Sequence, residues 1–592
     1  MDRQQTIGFI LITFILVIWM WWIGQNNTQQ NQPKNDKTET VKKETPKTEE
    51  APAPEILTES KSDLIKEVSV EEKIITIETD LYVAQISSKG GTIKKWQLKN
   101  YSIWNKKQKV ELIDTRESSN LNILFTSTDG KNINTKNYNF EFTEDLNSKI
   151  VLAGDKKLKI GLKLKIGEGE IIKSFIFSNT ENIFDFNLYL KNLKNTIANY
   201  EYQVEWENGI PYSERNSLNE SSEAKAFIYS AGEVKELDVA NLGDKQSINP
   251  TGTTDWVAAK SKYFALAIIP QNKKATAAFL SGEHIEGKPI GSVEIYNIAL
   301  TIPFKGETNH ETNFKIFLGP LEYKSIKSLG YNLEEIMSLG WRWVRPITIY
   351  IFIPLFNFLH NFVSNFGVVI IIFTIILKVL LFPLTRTTAK SMQKMQALAP
   401  MIEEIKQKYK NDQNQVGVQT MKLYREYGVN PAGGCLPLLL QMPILTALYS
   451  MFSNAIELRQ SEFALWMNDL SVPDVIFSIP FKIPLLGLQD FSGLALAMGL
   501  TMFIQQKMTV TDPRQKMLVW MMPAMMTLLF NNFPAGLNLY YFAFNILAIV
   551  EQMYYKKKKS TEPLKKVERK KGGWGERLQQ KLETAQRAQR KK

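Results

Sequence analysis

Apolar residues form long uninterrupted runs near the N terminus and after residue 340, and short alternating runs between them. The first long run, residues 6–24, has no charged side chain and ends in Trp19, Trp21 and Trp22, which suit a membrane interface. A cleaved signal peptide is the alternative, but its apolar core is shorter and its cleavage site needs small residues. Residues 1–24 are therefore predicted to be an uncleaved transmembrane anchor.

Residues 25–65 and 66–335 differ sharply in composition. The first stretch is rich in Gln, Asn, Lys, Thr, Glu and Pro, with almost no aromatic or branched apolar residues, and predicts a disordered tether. The second contains period-two runs such as "EKIITIETDLYVAQISS" and "FDFNLYLKNL", separated by Gly and Asn turns. This alternation predicts antiparallel sheets in a β-sandwich. No nucleophile with a neighbouring base emerges, which favours a binding or scaffolding role for this domain.

The helical part is predicted to begin with a segment lying in the membrane interface. Residues 340–363 include "WRWVRPITIYIFIPLFNFLHNFV", which is rich in aromatic residues. This stretch is long enough to span, but Pro346, Pro354 and the polar Asn357, His360 and Asn361 better suit an amphipathic interfacial helix.

Five further apolar runs predict spans at residues 365–385, 431–453, 494–504, 517–530 and 534–555, which with the anchor make six transmembrane helices. Residues 386–430 carry eight Lys/Arg against four Asp/Glu and predict a polar helical hairpin turning at "NDQNQ". The tail 556–592 has fifteen Lys/Arg against four Asp/Glu, whereas the loop 454–493 has two against five. Basic short loops stay cytoplasmic, so both termini are predicted inside and residues 25–335 outside.

Overall composition narrows the classes of chemistry. The chain has 592 residues, a net charge of +12, a single cysteine, Cys435, and three histidines. Those histidines, His284, His310 and His360, have no ligand-like spacing, which argues against a histidine-based metal site or a Ser/His/Asp hydrolase. No Walker-type glycine loop is present, so no nucleotide is expected.

Lys378 stands inside the span 365–385, where a charge costs about 2.5–3.5 kcal/mol on insertion scales. Snorkelling is one reading, since Lys378 is about two helical turns, roughly 10 Å, from the cytoplasmic end at Thr385. The other spans contain no internal Asp or Glu, with Glu551 close to the final cytoplasmic end, so Lys378 is expected to lack a fixed anionic partner. An unpaired lysine indicates a hydrated, positively charged cavity open to transient acidic guests.

Polar residues and methionines at membrane depth extend this picture. The neutral polar candidates for lining the cavity can equally bond one helix to another. Methionine-rich surfaces accommodate many apolar partners. Alternatively, these methionines face lipid or fill space in the core. The candidate cavity residues are Gln441, Thr446, Ser450, Gln505, Asn538 and Asn545, and the methionines are Met517, Met521, Met522, Met525 and Met526.

Several stretches resemble the YidC/Oxa/Alb family of membrane protein insertases. They are "FPLTRTTAKSMQKMQALAPMIEEIKQKY", "YGVNPAGGCLPLLLQMPILTALYSMF", "ELRQSEFALWMNDLS" and "FPAGLNLYYFAFNILAI", within about residues 340–555. The anchor, the tether and a domain ending in "GPLEYKSIKSLGYNLEEIMSLGW" resemble the Gram-negative arrangement. The resemblance implies a polytopic α-helical protein of the bacterial inner membrane. It would have a conserved five-helix insertase core at 365–555 and a periplasmic antiparallel β-supersandwich.

The resemblance also implies a site. Family members have a hydrated groove with a positive residue, usually arginine. The matching residue here is Lys378, which keeps the charge but lacks the planar fork that binds carboxylates bidentately. Gln441, Thr446, Gln505, Asn538 and Asn545 would share this substrate groove. A hydrophobic slide would be formed by Leu438, Met442, Leu445, Met517, Met521, Met522, Met525 and Met526.

Partners implied by the resemblance are nascent membrane proteins, the lipid bilayer, the Sec translocon and the ribosome, with no cofactor, metal or enzymatic step. The basic tail can bind ribosomal RNA or anionic lipid. The β-domain is similar to those of sugar mutarotases, but no residue pattern supports sugar chemistry. The alternative functions are a secondary transporter and an assembly scaffold. Separately, the long stretch "VIFSIPFKIPLLGLQDFSG" leaves the first residue of the fourth span undetermined.

Overall fold

The computed structural model describes residues 71–114, 119–286, 291–410, 412–429, 436–481, 483, 488–509, 516–557 and 566. These residues fall into two units: one, built mainly of strands, runs up to Ser338 and includes Asn454–Ile456, and the other, built mainly of helices, comprises the remaining residues from Leu339 onward. The predicted anchor, the tether and nearly all of the basic tail lie outside the described residues.

The described part of the strand unit has two short α-helices, α1 (Ser217–Ser221) and α2 (Tyr323–Ser328), and two short 3-10 helices, Thr135–Asn137 and Leu333–Ile336. Its strands are β1 (Ile74–Glu78), β2 (Tyr82–Ser87), β3 (Thr92–Ser102), β4 (Lys109–Glu111), β5 (Asn120–Thr126), β6 (Asn132–Asn134), β7 (Glu141–Phe142), β8 (Lys149–Val151), β9 (Lys157–Ile166), β10 (Gly169–Ser178), β11 (Ile183–Lys191), β12 (Glu201–Trp206), β13 (Lys225–Ser230), β14 (Glu233–Leu237), β15 (Lys245–Ile248), β16 (Thr251–Lys260), β17 (Phe264–Pro270), β18 (Ala275–Glu286), β19 (Ser292–Pro303) and β20 (Asn309–Pro320).

Strand β9 shows how the alternation in the sequence forms one face of a sheet. Every second side chain from Ile160 to Ile166 is buried, as the period-two pattern requires. A two-residue turn at Gly167 and Glu168 joins β9 to β10, and Gly167 has a φ of +57°, which glycine adopts without steric cost.

Two sheets form the predicted β-sandwich, which is confirmed. A five-stranded sheet has the order β4-β3-β2-β1-β8, and the main path of the larger sheet runs β6-β5-β12-β19-β18-β16-β17-β20-β11-β10-β9-β7. Trp96 of the smaller sheet contacts Phe177 and Phe184 of the larger one, with ring centroids 6.3 and 5.4 Å apart, so the sheets share one core. The prediction of purely antiparallel pairing is wrong at one place, because β1 and β8 are parallel.

His310 is a buried histidine within this sandwich. Lys273 Nζ lies 3.0 Å from His310 Nδ1, which requires that nitrogen to be unprotonated, and His310 Nε2 lies 3.2 Å from the Thr312 hydroxyl. Burial, helped by the charge of Lys273 and opposed by Glu307, lowers the pKa of His310 to about 4. The folded domain therefore holds this imidazole neutral.

We expect acid to destabilise the sandwich through His310. Because its folded pKa lies below the unfolded value of about 6.5, the unfolded state binds more protons between these two values. Stability is thus lost as the pH falls from about 6.5 to about 4, by up to about 3 kcal/mol. Urea unfolding of the full chain should show a steeper loss in wild type than in His310→Gln. A histidine NMR titration with the His310 midpoint near 6.5 would contradict this.

The helical unit begins with α3 (Arg345–Ile347), a π-helical turn (Thr348–Phe352) and α4 (Ile353–His360). Its longer helices are α5 (Phe366–Ala397), α6 (Ala399–Lys408), α7 (Gln413–Glu426), α8 (Leu436–Asn454), α9 (Gly493–Thr509), α10 (Lys516–Phe530) and α11 (Ala535–Lys557). A hairpin of β21 (Val475–Ser478) and β22 (Asp490–Ser492) precedes α9.

Helix bounds differ from the predicted spans in two places. Helix α5 does not end near Thr385 but continues to Ala397, well into the segment assigned to the polar hairpin. Helix α9 extends to Thr509, beyond the apolar stretch 494–504 that predicts the fourth span. Among the described residues, Phe366–Pro383 is the one helical stretch long and apolar enough to cross a membrane, and Val519–Phe530 is a shorter apolar helix. The six-span count stays a prediction.

Candidate functional site

Lys378 has an anionic partner, so the expectation that it is unpaired is wrong. Its Nζ lies 2.9 Å from Oε2 of Glu551 on α11, and the two side chains are only 13% and 15% exposed. The packing of α5 against α11 brings Glu551 to this position. The sequence placed Glu551 at the cytoplasmic end of its span, but it could not show that α11 lies beside α5.

The ion pair is incompletely satisfied. The Nζ of Lys378 also lies 4.5 Å from the centroid of the Phe544 ring, which provides a cation–π contact. The second oxygen of Glu551, Oε1, is buried and has no hydrogen-bond donor within the described part of the chain. A buried ion pair repays its desolvation only when the remaining polar groups are bonded, so the unbonded oxygen weakens the net contribution of this pair.

Two of the candidate groove amides are structural. Asn538 is fully buried, and its Nδ2 donates to the carbonyl oxygen of Phe530 at 3.1 Å, which ties α11 to the end of α10. Asn545 is also buried and its Nδ2 lies 3.5 Å from the carbonyl oxygen of Met498 on α9. The predicted place of Asn538 and Asn545 in a hydrated groove is therefore corrected to bonding between helices, the alternative that the sequence left open.

Three other groove candidates are half-buried and stay compatible with a wet surface. Gln441 and Thr446 lie on α8, and Gln505 lies on α9. The hydroxyl of Thr446 donates to the carbonyl oxygen of Met442 at 3.0 Å, so its hydrogen is used within its own helix.

Helix α8 has an open half and a packed half. From Gln441 to Thr446 its residues are half-buried or exposed, and Met442 is 46% exposed. Beyond Thr446 the helix is mostly buried, and the ring of Phe452 packs edge-to-face against Phe356 of α4. Of the predicted slide residues on this helix, Met442 is exposed and Leu445 is half-buried, while the side chain of Leu438 lies outside the described set.

The methionines of α10 form a partly exposed surface. Met517 is exposed, whereas Met521, Met522, Met525 and Met526 are half-buried. Trp520 on the same helix is 70% exposed and packs on Phe503 of α9, with ring centroids 4.4 Å apart. The methionines that the sequence assigned to the slide are therefore partly exposed, and the slide itself stays a prediction.

Sequence reasoning missed a buried carboxylate, Asp474. Its Oδ2 accepts the backbone N–H of Leu494 at 2.7 Å and the indole N–H of Trp466 at 2.9 Å, while Oδ1 accepts the hydroxyl of Ser492. Asp474 thereby caps the first turn of α9 from a distance along the chain. The only signal in the sequence was a single acid within the apolar stretch "SVPDVIF".

No described group of three or more His, Cys, Asp or Glu side chains could hold a metal ion. The contacts of the candidate residues instead comprise one ion pair, interhelical amides and apolar surfaces. This arrangement can bind an acidic segment beside an apolar one.

Two family models match this chain. The model described as 60Kd inner membrane protein matches residues 358–562, and that described as YidC periplasmic domain matches residues 74–353. The membrane protein insertase YidC of Chlorobaculum parvum is 37% identical over 563 residues, covering 94% of each chain. That of Chlorobaculum tepidum is 36% identical with the same coverage. A crystal structure of an active YidC insertase with its first transmembrane domain resolved is 20% identical and covers 83% of this chain and 94% of its own, with a TM-score of 0.34.

The two family models match successive parts of this chain, and the two relatives are above 30% identity and cover nearly all of it. The chain belongs to the YidC family of membrane protein insertases.

Proposed function

We propose that this protein inserts, folds and assembles nascent proteins in the bacterial inner membrane through a positively charged groove, alone or with the Sec translocon. The observation that carries the groove proposal is the Lys378–Glu551 pair, a mostly buried charge pair in which one carboxylate oxygen has no donor among the described residues. The protein acts by binding and release of its guest and is not an enzyme that makes or breaks covalent bonds.

A guest would contact two surfaces. Its apolar segment would lie along Met442 and Leu445 on α8 and along the methionines of α10, where exposed apolar side chains can adapt to many sequences. Its short acidic or polar flank would replace Glu551 as the partner of Lys378. Gln441, Thr446 and Gln505 would supply half-buried polar groups, which lower the cost of holding that flank at membrane depth.

Completion of translocation would draw on partitioning and the membrane potential. An apolar segment gains free energy on entering lipid, and an acidic flank is driven outward by about 2.3 kcal/mol per charge per 100 mV. Short apolar helices such as Val519–Phe530 also favour local thinning of the bilayer, which shortens the path.

The topology proposed for this function has six spans, both termini in the cytoplasm and residues 25–335 in the periplasm. Helices α6 and α7 would form a cytoplasmic hairpin that receives guests. The basic tail 556–592 would bind the ribosome, with anionic lipid as the other ligand for the same charges.

Insertion into liposomes containing only this protein tests the groove. A short single-span guest with an acidic tail is compared with its neutral-tail version by protease protection, on wild type, Lys378→Ala and Lys378→Arg. We expect Lys378→Ala to reduce acidic-tail insertion about tenfold or more, because one charged contact is lost and Glu551 then repels the tail. Lys378→Arg keeps the positive charge and should insert the acidic-tail guest about as well as wild type.

The neutral-tail guest is the internal control, since its insertion should change little. Equal insertion of both guests by all three proteins would contradict a role for Lys378 as the acidic tail's binding group. Absence of insertion by wild type would contradict autonomous insertion and favour an assembly scaffold.

A further inference from the structure

The hairpin of β21 and β22 exposes apolar side chains in an unusual way. Every residue of β21 is exposed, and three of the four are apolar: Val475, Ile476 and Phe477, the last 48% exposed. No other strand among the described residues is exposed at every position. Strand β15 comes nearest, but its exposed residues are polar, as expected for a surface in water.

The apolar surface continues beyond the strand. Phe481 is 63% exposed, Leu465 is 84% exposed and Trp466 is also exposed. Phe477 stacks on Phe491 across the hairpin, with ring centroids 4.6 Å apart, so the aromatic rings are held in place rather than folded inward. An exposed apolar patch of this kind marks a contact surface.

The base of the hairpin is fixed to the ends of membrane helices. Asn531, which follows α10, accepts the N–H of Ser492 at 3.0 Å and donates to the carbonyl oxygen of Asp490 at 2.7 Å. Asp474 bonds the first turn of α9 and the indole of Trp466. These contacts hold the hairpin beside the start of α9 and the end of α10.

We infer that this hairpin, with Leu465 and Trp466, is an additional lipid-binding element at the periplasmic membrane–water interface of the inner membrane. The charges favour lipid, because no side chain from Val475 to Phe481 is charged, and Asp490 lies opposite Ser478 at the loop end of the two strands. Tryptophan beside the hairpin suits the headgroup level. The inference does not require the groove to act as proposed.

The hairpin cannot enter the hydrocarbon core. A two-stranded ribbon has open edges whose N–H and C=O groups would be unsatisfied in lipid. The interface supplies water to those groups and acyl chains to Ile476, Phe477 and Phe481. We expect these side chains to lie about 5–10 Å into the headgroup and acyl boundary.

Depth-dependent quenching tests this inference in the full chain. In a Cys435→Ala background, Phe477→Cys or Phe481→Cys is labelled with an environment-sensitive fluorophore and reconstituted into phosphatidylethanolamine–phosphatidylglycerol vesicles. Lipids carry a nitroxide near the headgroup or near the end of the acyl chain. We expect blue-shifted emission and stronger quenching by the shallow nitroxide than by the deep one.

Matched controls define the two extremes. Leu500→Cys, on the exposed face of α9, should be quenched more by the deep nitroxide, and Gln407→Cys, exposed on α6, should be quenched by neither. Water-like emission without quenching at both hairpin sites would overturn the inference. So would shielding that appears only with protein concentration or with an added guest, which would assign the surface to a second copy or to the guest. Native-like protease resistance of each labelled variant verifies its fold.

Discussion

Exchanging the two charges of the Lys378–Glu551 pair should restore most of the stability that either single reversal removes. Lys378→Glu places two carboxylates at a mostly buried site, and Glu551→Lys places two ammonium groups there. Each single reversal should lower the free energy of unfolding by about 3–5 kcal/mol, the usual cost of leaving a buried charge uncompensated. The double variant should recover to within about 1 kcal/mol of wild type, as measured by detergent-unfolding titrations.

The exposed Lys394 on the same helix is the matched control. Lys394→Glu should change stability by less than about 1 kcal/mol, because exposed charges are well solvated. The two charges would not be coupled if the double variant lost as much unfolding free energy as the two single variants lose together. Lys378 would then be held by snorkelling instead.

Removing only the carboxylate of Glu551 should raise the insertion of acidic-tail guests, whereas Lys378→Ala should lower it. Glu551→Gln leaves Lys378 charged and available, so acidic-tail guests should insert better relative to neutral-tail guests. Unchanged or reduced relative insertion of the acidic guest by a folded Glu551→Gln protein would show that the guest does not exchange with Glu551.

Loss of Asp474 should cause the second large effect, a loosening of the helical unit at the base of the hairpin. Asp474→Ala removes the acceptor for Leu494, Trp466 and Ser492 and leaves buried donors without a partner. Hydrogen bonds to a charged group contribute about 1.5–3 kcal/mol each, so a loss of about 3 kcal/mol or more is expected. Deuterium exchange at the start of α9 should accelerate, and the thermal midpoint should fall.

Asp490→Asn provides the comparison. Asp490 is exposed, and its carboxylate bonds the exposed Ser478 at 2.6 Å, while its backbone carbonyl still receives Asn531. This variant should keep wild-type exchange at α9. Equal exchange in the Asp474 and Asp490 variants would mean that the network around Asp474 does not hold the helix end.

The sequence predicted the local elements well where one periodicity dominated. Alternation along β9 to β11 predicted a sandwich, since period two fixes which side chains share a face. The apolar run at Phe366–Pro383 predicted a spanning helix because its length and lack of acids suit a bilayer. The end of α5 was missed, because polar residues with helical spacing continue the same helix beyond the apolar run.

By itself, then, the sequence determined the two-part organisation, the sandwich, the apolar helices, the family resemblance and the presence of a lysine at membrane depth. Only the tertiary structure decided that Glu551 faces Lys378, that Asn538 and Asn545 bond neighbouring helices, and that Asp474 caps α9. Periodicity fixes the face on which a side chain lies. The partner of that side chain depends on how elements far apart in sequence pack and on the rotamers that the packing allows.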